Sequence, residues 1–199
     1  MTETTALEAA LEALDEGSPI VVPTDTVYGL AARPSLARAI EAVFRVKGRP
    51  PDKPLPLLAA RLDDLLDVVT VDARARMAAA RFWPGPLTLV LPRAAGFPFD
   101  LGGGRAASIA VRVPSCPVAL ALLRRSGPLA VTSANRSGQA PATTVQEARA
   151  ALEALVEVFL DGGRLAGRPS TILSLVDAPI VLREGALTAE EVMSVARRE

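Results

Sequence analysis

Short apolar runs alternate with helix-spaced stretches along the whole chain, and this alternation limits the possible architecture more than any other feature. Leu7, Ala10, Leu11 and Leu14 have helical spacing, and Gly17 stands where a left-handed cap would end that helix. Pro19-Ile-Val-Val22 reads as a short buried strand, Pro23-Thr-Asp-Thr-Val-Tyr-Gly29 as a polar loop, and the stretch through Ile40, Val43, Phe44 and Val46 as a helix capped by Ser35. Lys47-Gly-Arg-Pro-Pro-Asp-Lys-Pro54 is too rich in Pro for a helix or central strand, so it is a shaped loop leading into the apolar run Leu55 to Ala59. Helical segments fit about Asp63 to Val68 and Asp72 to Phe82, and Trp83-Pro-Gly-Pro86 ends the second.

Strands are expected at Leu87 to Leu91, Ser108 to Val113, Leu129 to Thr132, Val156 to Leu160, Thr171 to Leu175 and Ile180 to Leu182. Helices are expected at Pro117 to Arg125, from Thr144 to Leu155, and after Thr188, the last two opened by Thr-x-x-Glu capping boxes. With no repeat and no linker, this pattern predicts an α/β fold with one domain over residues 1–199. The run Asp100-Leu-Gly-Gly-Gly104 lacks the spacing of a phosphate-binding loop and reads as a turn.

Composition removes whole classes of chemistry. The chain has no histidine, which excludes His-dependent triads and imidazole-ligated zinc. Cys116 is the only cysteine, so no internal disulfide can form, and we read it as a small packing residue. Lys plus Arg and Asp plus Glu number 22 each, which argues against a protein that simply coats nucleic acid. The first 16 residues carry five acidic and no basic side chains, the wrong charge for a targeting peptide, and no apolar run has membrane-spanning length. A reducing cytoplasm is the expected location.

Of the 22 cationic side chains only two are lysines, Lys47 and Lys53, and both fall in the one Pro-rich loop. Lysine and arginine differ enough in hydration and geometry for a site to select between them. Two further loops, Pro23-Thr-Asp-Thr26 and Thr132-Ser-Ala-Asn-Arg-Ser-Gly138, each follow an apolar strand, where α/β sheets place their ligand crevices. A cationic loop and two hydroxyl-rich loops suit a site that binds a polyanion and stabilises developing charge. This requires the lysine loop and the Ser-Ala-Asn turn to face one hollow.

Six segments in order carry a resemblance: Pro23-Thr-Asp-Thr-Val-Tyr-Gly-Leu30, Lys47-Gly-Arg-Pro50 with Lys53-Pro-Leu55, Pro84-Gly-Pro-Leu-Thr88, Val111-Arg-Val-Pro114, Ser133-Ala-Asn135 with Ser137-Gly138, and Pro169-Ser-Thr171. Leu182-Arg-Glu-Gly185 adds a seventh. Together they are similar to the ordered motifs of the YrdC-like family, the threonylcarbamoyl-AMP synthases. The resemblance implies an open, twisted, mixed sheet with flanking helices and a large basic concave surface. It also implies condensation of L-threonine, bicarbonate and ATP to threonylcarbamoyl-AMP and pyrophosphate, with Mg2+ on the phosphates. The expected partners are those substrates, tRNA, and a downstream threonylcarbamoyl-transferase complex.

By the same resemblance, Lys47, Arg49, Ser133 and Asn135 would hold the nucleotide, with Lys53, Ser108, Thr143 and Arg183 also on the ATP side. Arg112 would pair with the threonine carboxylate, and Thr26 and Ser170 would contact the amino acid. Tyr28 would either wall that pocket or serve as a core tyrosine, and Asp25 would attract the ammonium, help a metal or cap a turn. Leu58 stands where some members carry a threonine-contacting histidine, and Cys116 where many carry a histidine before the proline. The similarity is to the catalytic module alone, without the extra C-terminal domain of longer members. Two other readings are a paralogue of the same fold using another carbamate precursor and a non-catalytic double-stranded RNA or tRNA binder.

Overall fold

The protein is described by a computed structural model over residues 3–196. Helix α1 (Glu3–Asp15) ends at Gly17, whose φ of 77° lets the Gly17 and Ser18 amides turn back to Leu14 O and Ala13 O. Strand β1 (Ile20–Val22) is followed by the expected polar loop, but the chain then forms a second strand, β2 (Gly29–Ala32), before any helix. Gly-Leu-Ala-Ala has little intrinsic strand preference. It is extended because β1 and β6 (Leu129–Ser133) flank it, with Leu30 opposite both Val21 and Thr132. A side chain at position 29 would meet Val131 at 2.6 Å, which explains the glycine.

Helix α2 (Ala37–Lys47) starts from Leu36 without a side-chain cap, so Ser35 does not cap it. Its other end turns through Gly48 at φ 62° into the Pro-rich loop. Strand β3 (Leu57–Leu58) is only the middle of the apolar run. The first of the two expected helical segments after it is a short 3₁₀ turn, Leu62–Leu65. The second is α3 (Ala73–Phe82), where Asp72 accepts the Ala75 amide at 2.8 Å. Strands β4 (Leu87–Pro92) and β5 (Ser108–Arg112), helix α4 (Pro117–Ser126), α5 (Val145–Leu152), β7 (Thr171–Ser174), β8 (Ile180–Arg183) and α6 (Ala189–Ala196) complete the order.

Helix α5 stops three residues short of the expected Leu155, and Val156 to Leu160 is not a strand of the sheet. It instead lines the edge of β1, exchanging the amide of Val21 to Val158 O and that of Leu160 to Val21 O, each at 2.9 Å.

The sheet has eight strands in the order β1-β2-β6-β3-β5-β4-β7-β8, with β3/β5 and β4/β7 parallel and the remaining neighbours antiparallel. Period-two alternation divides its side chains between two layers. Leu57, Leu89, Val111 and Leu173 face a core shared with α2, α3, α5 and α6. The opposite layer joins α1 and α4 to Ile20, Val22, Ala31, Leu58, Leu129 and Val131, and includes no residue of β4, β5, β7 or β8. One face is therefore covered along its length and the other over half. Ala110, Arg112 and Ile172 stand on the uncovered half, where the sheet curves into a hollow.

Candidate active site

The hollow is a cavity of about 320 Å³. Its walls are the loop after β1, Arg49 and Pro54 of the Pro-rich loop, the concave face of β4, β5 and β7, the end of β6, and Pro141 in the segment that follows it. The lysine loop and the Ser-Ala-Asn turn do meet there. Gly48 reverses the chain so that Lys47 ends α2 directly against that turn, and the Ser137 amide donates to Lys47 O at 2.8 Å.

The Lys47 side chain is 4% exposed. Its ammonium donates to Ser133 O at 2.6 Å, Asn135 Oδ1 at 2.9 Å, and Ser133 Oγ and Asn135 O at 3.1 Å each. No carboxylate takes part. Burial, and then the charge of Arg49, push its pKa from 10.5 down to about 8. Asn135 is equally occupied, since Nδ2 donates to Gln139 O at 2.7 Å and Arg136 O at 2.9 Å. Lys47 and Asn135 thus brace the turn from behind, while Ser133 and Arg49 line the cavity.

Arg49 is anchored by Nε to Lys53 O at 2.9 Å and by Nη2 to Pro54 O at 3.1 Å. This leaves both Nη1 protons and one on Nη2 for an anion. Burial lowers its pKa, with Asp52 opposing. Beneath this loop the Asp100–Gly104 turn packs as a support, with Gly103 donating to Pro51 O at 2.8 Å and Leu55 to Leu101 O at 2.7 Å.

At the other end of the cavity Arg112, 5% exposed at the end of β5, is held at three points. Nε donates to Gly85 O at 2.9 Å, Nη1 to Thr26 Oγ1 at 3.1 Å and Nη2 to Asp25 Oδ1 at 2.5 Å. Burial lowers its pKa while Asp25 holds it up. Each terminal nitrogen keeps one N–H, a fork for a ligand carboxylate. Asp25 Oδ1 also accepts the Ser115 amide at 3.1 Å, and Oδ2 is buried without a protein hydrogen bond.

Thr26 Oγ1 lies 3.0 Å from Thr24 Oγ1, and both threonines are cavity walls. Across the hollow Ser170 Oγ is 2.8 Å from Thr88 Oγ1. Arg183 of β8 wraps the same residue, donating to Ser170 O from Nη2 at 2.8 Å and from Nε at 3.2 Å. Desolvation lowers the Arg183 pKa and Arg112 adds to the fall, so two guanidiniums share this end.

Besides Lys47 and Asn135, three of the expected residues, Thr143, Ser108 and Lys53, are not cavity walls, while Tyr28 is both a wall and a core residue. Tyr28 lines the cavity and is also fully buried, and its hydroxyl donates toward Gly163 O at 2.8 Å and accepts the Gly162 amide at 3.0 Å, so the wall and core readings both hold. Thr143 is outside the cavity and donates its hydroxyl to Glu147 Oε2 at 2.9 Å, where it helps cap α5. Ser108 shares the concave face with Ala110 and Arg112 but stands at the far end of β5, beyond the cavity. Lys53 is exposed beside the rim. Sequence reasoning passed over Thr24 and Thr88 as site residues although each stands inside a motif it singled out. Cys116 is buried at the start of α4 and packs in the α1/α4 layer, and Leu58 is a cavity wall.

Residues 12–185 match the Sua5/YciO/YrdC family, described as "Telomere recombination". The chain belongs to this family. It is similar to the threonylcarbamoyl-AMP synthase of Shigella boydii, with 41% identity over 174 residues, covering 84% of this chain and 90% of the relative. It is also 39% identical over 184 residues to that of Pyrococcus abyssi, covering 90% of this chain but only 54% of the relative, so it spans about half the length of that protein. The crystal structure of Pyrococcus abyssi Sua5 complexed with L-threonine superposes with a TM-score of 0.91 at 37% identity, covering 98% of this chain and 58% of that one. The eight-stranded open mixed sheet is thus the Sua5-type fold.

Proposed function

We propose that this family member is a threonylcarbamoyl-AMP synthase, which condenses L-threonine, bicarbonate and ATP. The observation that carries the proposal is one continuous hollow with a phosphate-type end, Arg49 and Ser133, and an amino-acid-type end, Arg112, Thr26 and Ser170. Support also comes from the similarity to named synthases over most of the chain. That similarity favours threonine over another acceptor.

In this reading the Arg112 fork takes the threonine carboxylate, and the substrate nitrogen sits among Thr26, Thr88 and Ser170. The nitrogen lone pair attacks carbon dioxide derived from bicarbonate and a proton leaves to water. A carbamate oxygen then attacks the α-phosphorus of ATP and pyrophosphate departs. No enzyme nucleophile is needed, in keeping with a chain that has no histidine. Arg49, with Lys53 beside the rim, would stabilise the phosphate oxygens as charge builds on them, and Arg183, which shares the Arg112 end, would face the α-phosphate where the carbamate meets it.

No group of three or more acidic or thiol ligands gathers among the described residues, and Asp25, the carboxylate beside the cavity, is paired with Arg112. The walls do not fit a protein-held divalent ion, so we assign Mg2+ to the ATP phosphates and route no step through a protein-bound metal. A cytoplasmic setting, contact with tRNA and delivery to a transferase complex follow from this activity as part of the same proposal. No helix among the described residues is long and apolar enough to cross a membrane.

The test is mass detection of threonylcarbamoyl-AMP from purified protein with the three substrates. Arg112→Ala should raise the KM for L-threonine by about tenfold to a hundredfold, the worth of hydrogen bonds to a charged group. Arg49→Ala should lower kcat by about a hundredfold. Pyrophosphate release that does not depend on L-threonine would overturn the reading.

A further inference from the structure

The cavity walls carry charge of one sign. Arg49, Arg112 and Arg183 line it, and no aspartate or glutamate does. The other polar side chains among its walls are hydroxyls, and burial pushes the Tyr28 phenol up, so that it stays neutral. The carboxylates nearest the walls are occupied. Asp25 Oδ1 takes Arg112 Nη2 and the Ser115 amide while Oδ2 is buried, Asp161 meets the Tyr28 hydroxyl and the Gly163 amide, and Asp52 acts on Arg49. Lys53 is exposed beside the rim and Lys47 is caged behind the Ser133 turn. Among the described residues, no carboxylate oxygen is therefore open to a cation inside the hollow.

Arg112 is balanced by Asp25, but Arg183 is not. Its hydrogen bonds go to Ser170 O and, at 3.4 Å, to Ser170 Oγ, and no acidic group offsets its repulsion from Arg112. The amino-acid end thus holds one positive charge in excess, which a ligand carboxylate on the Arg112 fork cancels. An ammonium on the same ligand would restore the excess with only neutral hydroxyls to meet it. Lys47 shows the effect of such surroundings: with neutral oxygens around it, burial and the charge of Arg49 bring its ammonium from 10.5 to about 8. An α-ammonium starts lower than a lysine, so a similar fall leaves it mostly amine near neutral pH.

We propose that the amino-acid end of the cavity selects its ligand as the free amine, and that the charge of Arg183, which no carboxylate offsets, enforces this selection. Resting on the synthase reading for its substrate, the selection supplies the step by which the nitrogen loses its first proton in a chain with no histidine. L-threonine in water is a zwitterion, and its ammonium has no lone pair to attack carbon. On entering the cavity the ammonium gives one proton to water and becomes an amine. The lone pair then forms the N–C bond to carbon dioxide, one C=O pair moves onto oxygen, and a second proton leaves the nitrogen to water. The carbamate results. No side chain acts as a base, because the charge of the walls has already removed the first proton.

The test is calorimetry of L-threonine binding without ATP, repeated in two buffers of different ionisation enthalpy, which counts the protons released. Near pH 7 the wild type should release more than about half a proton per L-threonine bound. β-Hydroxybutyrate, which has hydrogen in place of the amine, should release none, and this separates the ligand's proton from one lost by Lys47. Arg183→Gln should cut the release by about half or more and raise the pH at which it sets in by about one pH unit, the effect of one charge near a partly desolvated group. Arg183→Lys keeps the charge and should restore the release. A merely structural role would weaken binding without changing the proton count. If Arg183→Gln does not fold by thermal melt, the wild-type count from about pH 6 to 9 decides, with a midpoint expected at least about one pH unit below that of free L-threonine. Release near zero in a wild type that binds L-threonine and makes its adenylate overturns this proposal alone, as does an equal count in folded Arg183→Gln. Release intact in a wild type that makes no adenylate overturns the synthase reading alone, and no binding of L-threonine overturns both.

Discussion

Lys47 shows why a chain with 20 arginines keeps a lysine at this position. Four oxygens from Ser133 and Asn135 converge on one nitrogen within 3.1 Å. A compact ammonium with three donors satisfies such a cage, whereas a planar guanidinium would place its charge beyond it. Lys47→Arg should therefore destabilise the protein by about 2–4 kcal/mol in urea melts, as expected for a buried network broken at one member. The pH dependence has a definite sign. The folded pKa, about 8, lies below the ordinary 10.5, so between these values the unfolded chain holds the proton that the folded chain has released. Stability of the wild type relative to Lys47→Met should consequently rise from pH 8 to 10.5, checked by paired denaturation curves; a fall would contradict the assignment. Lys53, the other lysine, has no such cage and is exposed, so the lysine bias has a structural cause at one position of the two.

At the scale of elements, the local rules are kept where the ends of helices meet solvent. Thr188 and Glu191 form a reciprocal capping box, with amide to carboxylate 2.7 Å and amide to hydroxyl 3.2 Å. At α5 the Glu147 carboxylate reaches one residue further back, to the Thr143 amide. The turn after β8 is constrained differently. A side chain on Gly185 would collide with the Pro169 carbonyl and come within 2.7 Å of the Ser170 backbone. Since Arg183 and Thr88 hold Ser170 from either side, displacement there moves a cavity wall. Gly185→Ala should raise the KM for L-threonine by about tenfold with a smaller change in kcat, and an unchanged KM would show that Ser170 does not contact that substrate.

At the scale of the molecule, the site exists because two helices, α1 and α4, cover only half of one face of an eight-strand sheet. The fully covered face supplies the rigidity. Leu89, wholly buried in β4 between Val111 and Leu173, is part of that support. Leu89→Ala should cost about 2–5 kcal/mol of unfolding free energy in chemical denaturation while leaving the cavity-lining residues in place. A loss below about 1 kcal/mol would mean the two layers can collapse into the space.

Periodicity and turn chemistry in the chain itself determined the alternating α/β class, the helices from Ala73 and Val145, and the ordered loops that carry the site, because these depend on neighbours a few residues apart. Tertiary contacts alone decided that Gly29-Leu-Ala-Ala32 is a strand, since its pairing to β1 and β6 outweighs weak local preference. They also decided the division of labour among the polar residues. Lys47 and Asn135 brace a turn that Ser133 presents, Tyr28 turns its hydroxyl to the Asp161–Gly163 loop, and Thr26 receives Arg112. Which hydroxyl donates and which accepts depends on partners in sequence-distant segments, as with Arg112, 86 residues from Thr26. No pattern along the chain encodes that distance.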